Sequence, residues 1–106
     1  MKIAAIDLFY VALPVITRTA DGTQDSLVVR IRTDNGLVGL GENPGPPMDQ
    51  ELLDLYIGTD PFDHVLSTGR FNLDMACYDL MGKHLGLPAW KLMGQQVRQW
   101  VNMGWW

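Results

Sequence analysis

The sequence predicts an α+β domain, a three-stranded antiparallel meander followed by helices, and three observations carry that reading. Residues 26–33 alternate cleanly, with Leu27, Val29 and Ile31 on one face and Val28, Arg30 and Arg32 on the other. Asp34-Asn35-Gly36 then offers a hairpin turn, because Asn and Gly tolerate positive φ at low cost. From Asn72 onward, Leu73, Ala76, Cys77, Leu80, Met81 and Leu85 recur at the spacing of one helix face.

The first strand is read over residues 2–13, where β-branched and aromatic residues are frequent until Pro14 ends the run. Residues 17–25 are polar, with Gly after Asp, and form a loop. Residues 37–42 return from the hairpin, and Gly39 and Gly41 leave one face bare for close packing or a bulge. Pro44-Gly45-Pro46-Pro47 breaks the chain. A short helix over 48–57 follows, with Leu52, Leu53 and Tyr56 on one side, and Gly58-Thr59-Asp60-Pro61 breaks it again. On the main helix Asp79 and Lys83 stand i, i+4 with the acid first, the favourable order. Gly86 and Pro88 are placed to stop that helix, and one more short helix is expected over 88–93.

At 106 residues the chain has room for one modest core. Its 47% apolar and 19% charged composition suits a folded domain rather than a disordered one. A formal charge of −4 argues against a nucleic-acid partner, which needs clustered Lys and Arg. No stretch reaches the roughly 18 apolar residues of a membrane span. Asp7 interrupts what a signal peptide would need, so a cytoplasmic location is expected. The single Cys77 excludes an internal disulfide and a Cys-based zinc cluster. Residues 97–106 carry three Trp and no charge after Arg98. Such an apolar end calls for pairing with another chain or for a continuation of the structure.

Candidate chemistry is sparse. His64 and His84 have no second ligand at metal spacing, and Cys77 lies on the apolar helix stripe. Gly36, Gly39 and Gly41 sit in a hairpin, not at the strand-to-helix turn of a phosphate loop. Asp60 and Asp63 flank Pro61, as turn-capping residues do. Two positions stand out. Glu42 ends a strand just before a Gly/Pro loop, a common place for a ligand-facing group. Arg18 is the one cation of its loop, suited either to solvent or to docking an anion.

Asp74-x-Ala76-x-x-Asp79-Leu80-x-Gly82-Lys83-x-x-Gly86-x-Pro88-x-x-x-Leu92-Met93-Gly94 resembles the signature helix of the mandelate racemase and muconate lactonising enzymes of the enolase superfamily. Asn35-Gly36-x-x-Gly39-x-Gly41-Glu42 looks like the family's second hairpin, and Ile57-Gly58-x-Asp60-Pro61-Phe62 like its later turn. These motifs span nearly the whole chain in the family's order. Tyr78 stands where Trp is usual, and segments 44–57 and 64–73 are shorter than the family norm.

The resemblance implies an N-terminal capping domain over residues 1–96. Residues 97–106 become the linker and first strand of a catalytic barrel that this sequence does not contain. In the family, a Lys or His base removes the proton α to a carboxylate, and Mg²⁺ stabilises the resulting enediolate. The base and the acidic metal ligands lie on barrel strands, so no catalytic or metal residue carries over to this chain. Alone, the chain is expected to be inert.

The cap's contribution would be closure over the substrate and choice of it. By resemblance the closing loop is 14–25, and Thr17, Arg18, Thr19, Glu42 and Asn43 are the substrate-binding candidates. The polar loop favours a sugar acid, hence an acid-sugar dehydratase ahead of a racemase, epimerase or cycloisomerase. The expected partners are a small carboxylic acid and the chain's own barrel, and family members are often homo-oligomers. From another class, the alternative is a stand-alone, non-catalytic module that binds an anion or a protein through the Trp-rich end.

Overall fold

The computed structural model describes residues 1–12, 25–44, 47–64 and 70–104. Strand β1 is Ile3–Val11, β2 is Ser26–Thr33 and β3 is Val38–Asn43. They pair antiparallel in the order β1-β2-β3, the expected meander. Helix α1 (Gln50–Asp54), a single 3-10 turn (Pro61–His64), the long α2 (Phe71–Leu85) and the short α3 (Trp90–Met93) follow.

The hairpin between β2 and β3 forms as the Asn-Gly pair requires. Gly36 takes φ +84°, and its N–H donates to the Thr33 carbonyl at 3.0 Å. Thr33 Oγ1 reinforces the turn by accepting from the Leu37 N–H at 3.0 Å. Leu27, Val29 and Ile31 then point to one face and are buried, as alternation predicts.

Helix α2 lies on that face against β3, and the glycines explain how closely. A β-carbon on Gly41 would fall on the Asn72 carbonyl oxygen, and one on Gly39 on that of Ala76. The bare face therefore serves helix-to-strand backbone contact rather than a bulge. Leu73, Ala76, Cys77 and Leu80 fill the remaining space and have no exposed surface. The helix ends where Gly86 turns left-handed at φ +65°. Leu87 N–H reaches back to Gly82 O at 2.9 Å and Gly86 N–H to Lys83 O at 3.3 Å, satisfying carbonyls the helix leaves open.

The expected Asp79–Lys83 pair forms at 2.7 Å and does more than decorate the helix. Asp79 Oδ2 accepts from the Leu40 N–H at 2.9 Å, and Lys83 Nζ donates to the Val38 carbonyl at 2.6 Å. The pair thus occupies the backbone groups that the edge strand β3 turns outward.

Several expectations shift. β1 ends at Val11, with residue 13 outside the described residues, and β3 runs one residue past its expected end, to Asn43. The helix expected over 48–57 shrinks to Gln50–Asp54, because Asp49 makes no side-chain cap and Leu55 already belongs to a turn. Leu53 and Tyr56 are nonetheless buried. The helix expected over 88–93 begins only at Trp90. Leu85, placed on the core stripe, is half exposed because it lies beyond the end of the sheet that covers Leu80. Residues 97–104 have no regular structure, and Val97, Trp100, Val101 and Met103 face solvent.

Candidate functional site at the loop end of the sheet

Glu42 and Asn43 are the last residues of β3, and pairing fixes what lies beside them. Val11 is opposite Ser26 and Leu27 is opposite Asn43, so the end of β3 sits where β1 leaves the sheet and β2 enters it. The loop carrying Thr17, Arg18 and Thr19 joins those two strands at this end. These three residues lie outside the described residues, so their part in the site is untouched by the geometry.

Two side-chain hydrogen bonds tie the strand ends together. Tyr10 Oη donates to Asp25 Oδ2 at 2.6 Å, bridging the two sides of the loop's base. Ser26 Oγ donates to Glu42 Oε1, linking β2 to β3. The bond to Asp25, followed by partial burial, pushes the Tyr10 hydroxyl above its ordinary pKa, so it stays a donor. Asn43 is half-buried, and its Nδ2 donates to the Pro44 carbonyl at 3.1 Å. By strand alternation Tyr10, with its partner Asp25, and Asn43 lie on the face of Leu27 and α2, whereas Ser26 and Glu42 lie on the opposite face of the sheet. Each carboxylate can accept further hydrogen bonds from hydroxyl or amide donors on its own side of the sheet.

Glu42 and Asn43 are consecutive residues at the end of β3 with side chains on opposite faces, while Tyr10, Asp25 and Ser26 were not singled out from the sequence. Their signal is weak in one dimension, because each acquires a partner only when the strands close.

The remaining candidates have structural occupations. His64 Nε2 lies 2.6 Å from Thr59 Oγ1, and its ring packs on Tyr56 with centroids 4.6 Å apart. His84 meets Phe62 edge-on at 6.0 Å. Cys77 is fully buried, and burial with the nearby Asp74 charge pushes its thiol up to about 12, so it remains protonated. Asp60 Oδ1 accepts from the Phe62 N–H at 3.1 Å, the turn cap expected of it. Among the described residues, no group of three or more His, Cys, Asp or Glu is arranged to hold a metal ion. These residues do not fit a magnesium site.

The chain is similar to known proteins in both sequence and fold. The chain is 27% identical to the N-succinyl-L-Arg/Lys racemase of Bacillus cereus, over 93% of its own length and 35% of the racemase's. It is 32% identical to the hydrophobic dipeptide epimerase of Enterococcus faecalis (95% and 34%) and to the cis-3-hydroxy-L-proline dehydratase of Roseibium aggregatum (89% and 34%). Among solved structures, the muconate lactonizing enzyme of Pseudomonas putida superposes with a TM-score of 0.72 at 26% identity, over 92% of this chain and 34% of the enzyme. A mandelate racemase/muconate lactonizing enzyme from Jannaschia sp. CCS1 gives 0.67 at 27%, over 92% of this chain and 32% of that one. The chain belongs to the mandelate racemase and muconate lactonizing enzyme family of the enolase superfamily. No protein-family model matches it.

The chain spans about a third of the length of the curated relatives it matches. The match to the racemase runs over 129 residues against 106 in this chain, so that relative carries positions with no counterpart here. Shortened segments were expected on sequence grounds at 44–57 and 64–73. The curated relatives include racemases, epimerases and dehydratases, and no helix among the described residues is long and apolar enough to cross a membrane.

Proposed function

We propose that the chain acts as the capping, substrate-selecting domain of an enolase-superfamily enzyme that removes the proton α to a carboxylate. The observation that carries this reading is the pair of side-chain bonds at the strand ends that residues 13–24 join, Tyr10 to Asp25 on one face of the sheet and Ser26 to Glu42 on the other. A loop anchored by hydrogen bonds at its base can close over a ligand without the sheet moving. The cap holds the part of the substrate remote from the reacting carbon and excludes water there. The base and the Mg²⁺ ligands belong to a barrel domain, so this chain by itself turns over no substrate.

The substrate class has two readings. Loop composition supports a sugar acid and hence a dehydratase, since Thr17, Arg18 and Thr19 match a polyhydroxylated anion. The names of the racemase and epimerase relatives support an acylated amino acid or dipeptide instead, with racemisation or epimerisation as the outcome. Both ligands carry hydroxyl or amide donors that a carboxylate can accept.

Reading the coding sequence beyond Trp106 is the first test. Continuation into a barrel with a Lys-x-Lys strand and spaced Asp and Glu supports the cap; a stop codon there supports the stand-alone binding module. The complete enzyme, assayed with excess Mg²⁺ on sugar acids, N-succinyl amino acids and dipeptides, then decides between the substrates. On the best of them, Arg18→Ala should raise KM about tenfold, roughly 1.4 kcal/mol of lost binding. Unchanged KM and kcat would return Arg18 to a solvated loop residue.

A further inference from the structure

The turn between β2 and β3 holds the one Asn-Gly pair of the sequence, Asn35-Gly36, and Asn35 is exposed. Glycine carries no β-carbon to shield its peptide nitrogen, so this is the context in which an asparagine carboxamide is most open to attack. Residue 33 fixes the turn. Gly36 N–H donates to the Thr33 carbonyl at 3.0 Å, and Thr33 N–H donates to the Leu37 carbonyl at 3.0 Å. Thr33 Oγ1 accepts from the Leu37 N–H at 3.0 Å and lies 2.6 Å from Asn35 Oδ1. Its proton goes to Asn35, because the Leu37 carbonyl is farther, at 3.1 Å, and already receives the Thr33 N–H. From the other side, Asp34 N–H donates to the Lys2 carbonyl at 2.9 Å, and Asp34 Oδ1 accepts from the Lys2 N–H at 2.8 Å.

We propose that Asn35 is a latent site of spontaneous deamidation and that Thr33 is the residue that holds it closed. In this reaction the Gly36 nitrogen gives its proton to hydroxide and bonds to Asn35 Cγ. The Cγ–Nδ2 bond breaks, and Nδ2 takes a proton from water and leaves as ammonia. Water then opens the cyclic imide at either carbonyl, giving aspartate or isoaspartate. The two groups that must meet are both bonded to Thr33, whose carbonyl holds the Gly36 N–H and whose hydroxyl holds the Asn35 carboxamide. While both bonds stand, the nitrogen stays protonated and Cγ does not swing onto it. Reaction waits for local opening of the hairpin, and slows by the fraction of time the turn is open. Release has a consequence for packing. Isoaspartate adds a main-chain carbon between β2 and β3 and a carboxylate beside Asp34, which disturbs the strand register that brings Gly39 and Gly41 against α2.

The test incubates the full chain at mildly alkaline pH, folded and in urea, and follows conversion of Asn35 by peptide mapping and mass spectrometry. Asn102, exposed in the irregular tail, is the internal reference because the fold does not shield it. Relative to Asn102, Asn35 should convert about tenfold or more slowly in the folded chain than in urea. Thr33→Val removes the hydroxyl with little change of shape, and should speed conversion about threefold or more. Thr33→Ser keeps the hydroxyl and should stay close to the parent. Hydrogen exchange separates this from general loosening: in Thr33→Val the Gly36 N–H should exchange faster while the α2 amides stay protected. If Thr33→Val does not fold, the comparison of the parent folded and in urea still decides. Asn35 converting as fast in the folded chain as in urea, Thr33→Val converting no faster than Thr33→Ser, or a faster Thr33→Val with equal loss of protection in α2 would each overturn the proposal.

Discussion

The two faces of the sheet show two ways of finishing a strand. On one, α2 comes so close to β3 that Gly39 and Gly41 have no room for a side chain, and Leu73, Ala76, Cys77 and Leu80 are fully buried there. On the other, Phe9, Val38 and Leu40 are exposed beside an Asp7–Arg30–Arg32 cluster. The first face draws its stability from shape and the second from little beyond the ladder itself. Substitutions on the helix side should therefore be costly, and those on the open side should register mainly as solubility or pH dependence.

The largest effect is expected at Leu80, which has no exposed surface and stands at the centre of the α2 contact. Leu80→Ala should cost about 2–5 kcal/mol in chemical denaturation, by lost burial and the cavity left behind. Asp79→Ala, one residue away, should cost only about 1 kcal/mol, the worth of a partly solvated hydrogen bond. Equal losses at the two positions would mean that the edge contact matters as much as the core.

Gly41→Ala comes next. The added methyl meets backbone, the Asn72 carbonyl, and cannot be accommodated by a rotamer change. Overpacking of this kind costs about 1–3 kcal/mol, or more when backbone must move. Gly36→Ala is a useful contrast, because it tests positive φ in open space rather than a clash. A smaller loss at Gly41 than at Gly36 would count against the close-packing account.

How much of this was legible depended on the range of the interaction. β2, the Asn-Gly turn and α2 with its Gly86 stop were readable because period and turn chemistry are local. The short α1 was not, since nothing in residues 48–57 reveals that Asp49 leaves the helix uncapped. The double duty of Asp79 was hidden as well. Its i, i+4 pairing with Lys83 is a local signal, but Leu40 is 39 residues away. In the candidate site, Glu42 was visible from its place before a Gly/Pro break. Tyr10 and Asp25 became partners only through strand register.

The apolar tail should respond in the opposite sense to the core. Val97 and Trp100 are more than four-fifths exposed, so they contribute almost no burial energy to this domain. Deleting residues 97–106 should leave Tm nearly unchanged and reduce binding of a hydrophobic dye. A clear drop in Tm would show that the tail packs on the domain.

The smallest expected effect belongs to Asp7 and is read from pH. Arg30 donates to its carboxylate at 3.0 Å and Arg32 adds a second contact at 3.2 Å, which together hold it below the ordinary carboxylate range. A depressed folded-state pKa means that the stabilisation is present above the unfolded value. It is lost as pH falls through the folded one. Because the cluster is solvent-exposed and screened by salt, the contribution is small. Asp7→Asn should therefore match the parent Tm closely in acid, where the parent carboxylate is also uncharged, and fall slightly behind it at neutral pH. Asp34, whose carboxylate is also held low by the Lys2 N–H, serves as the internal reference because it titrates in both proteins. A Tm difference that is constant across pH would show that Asp7 acts through hydrogen bonding or packing rather than through its charge.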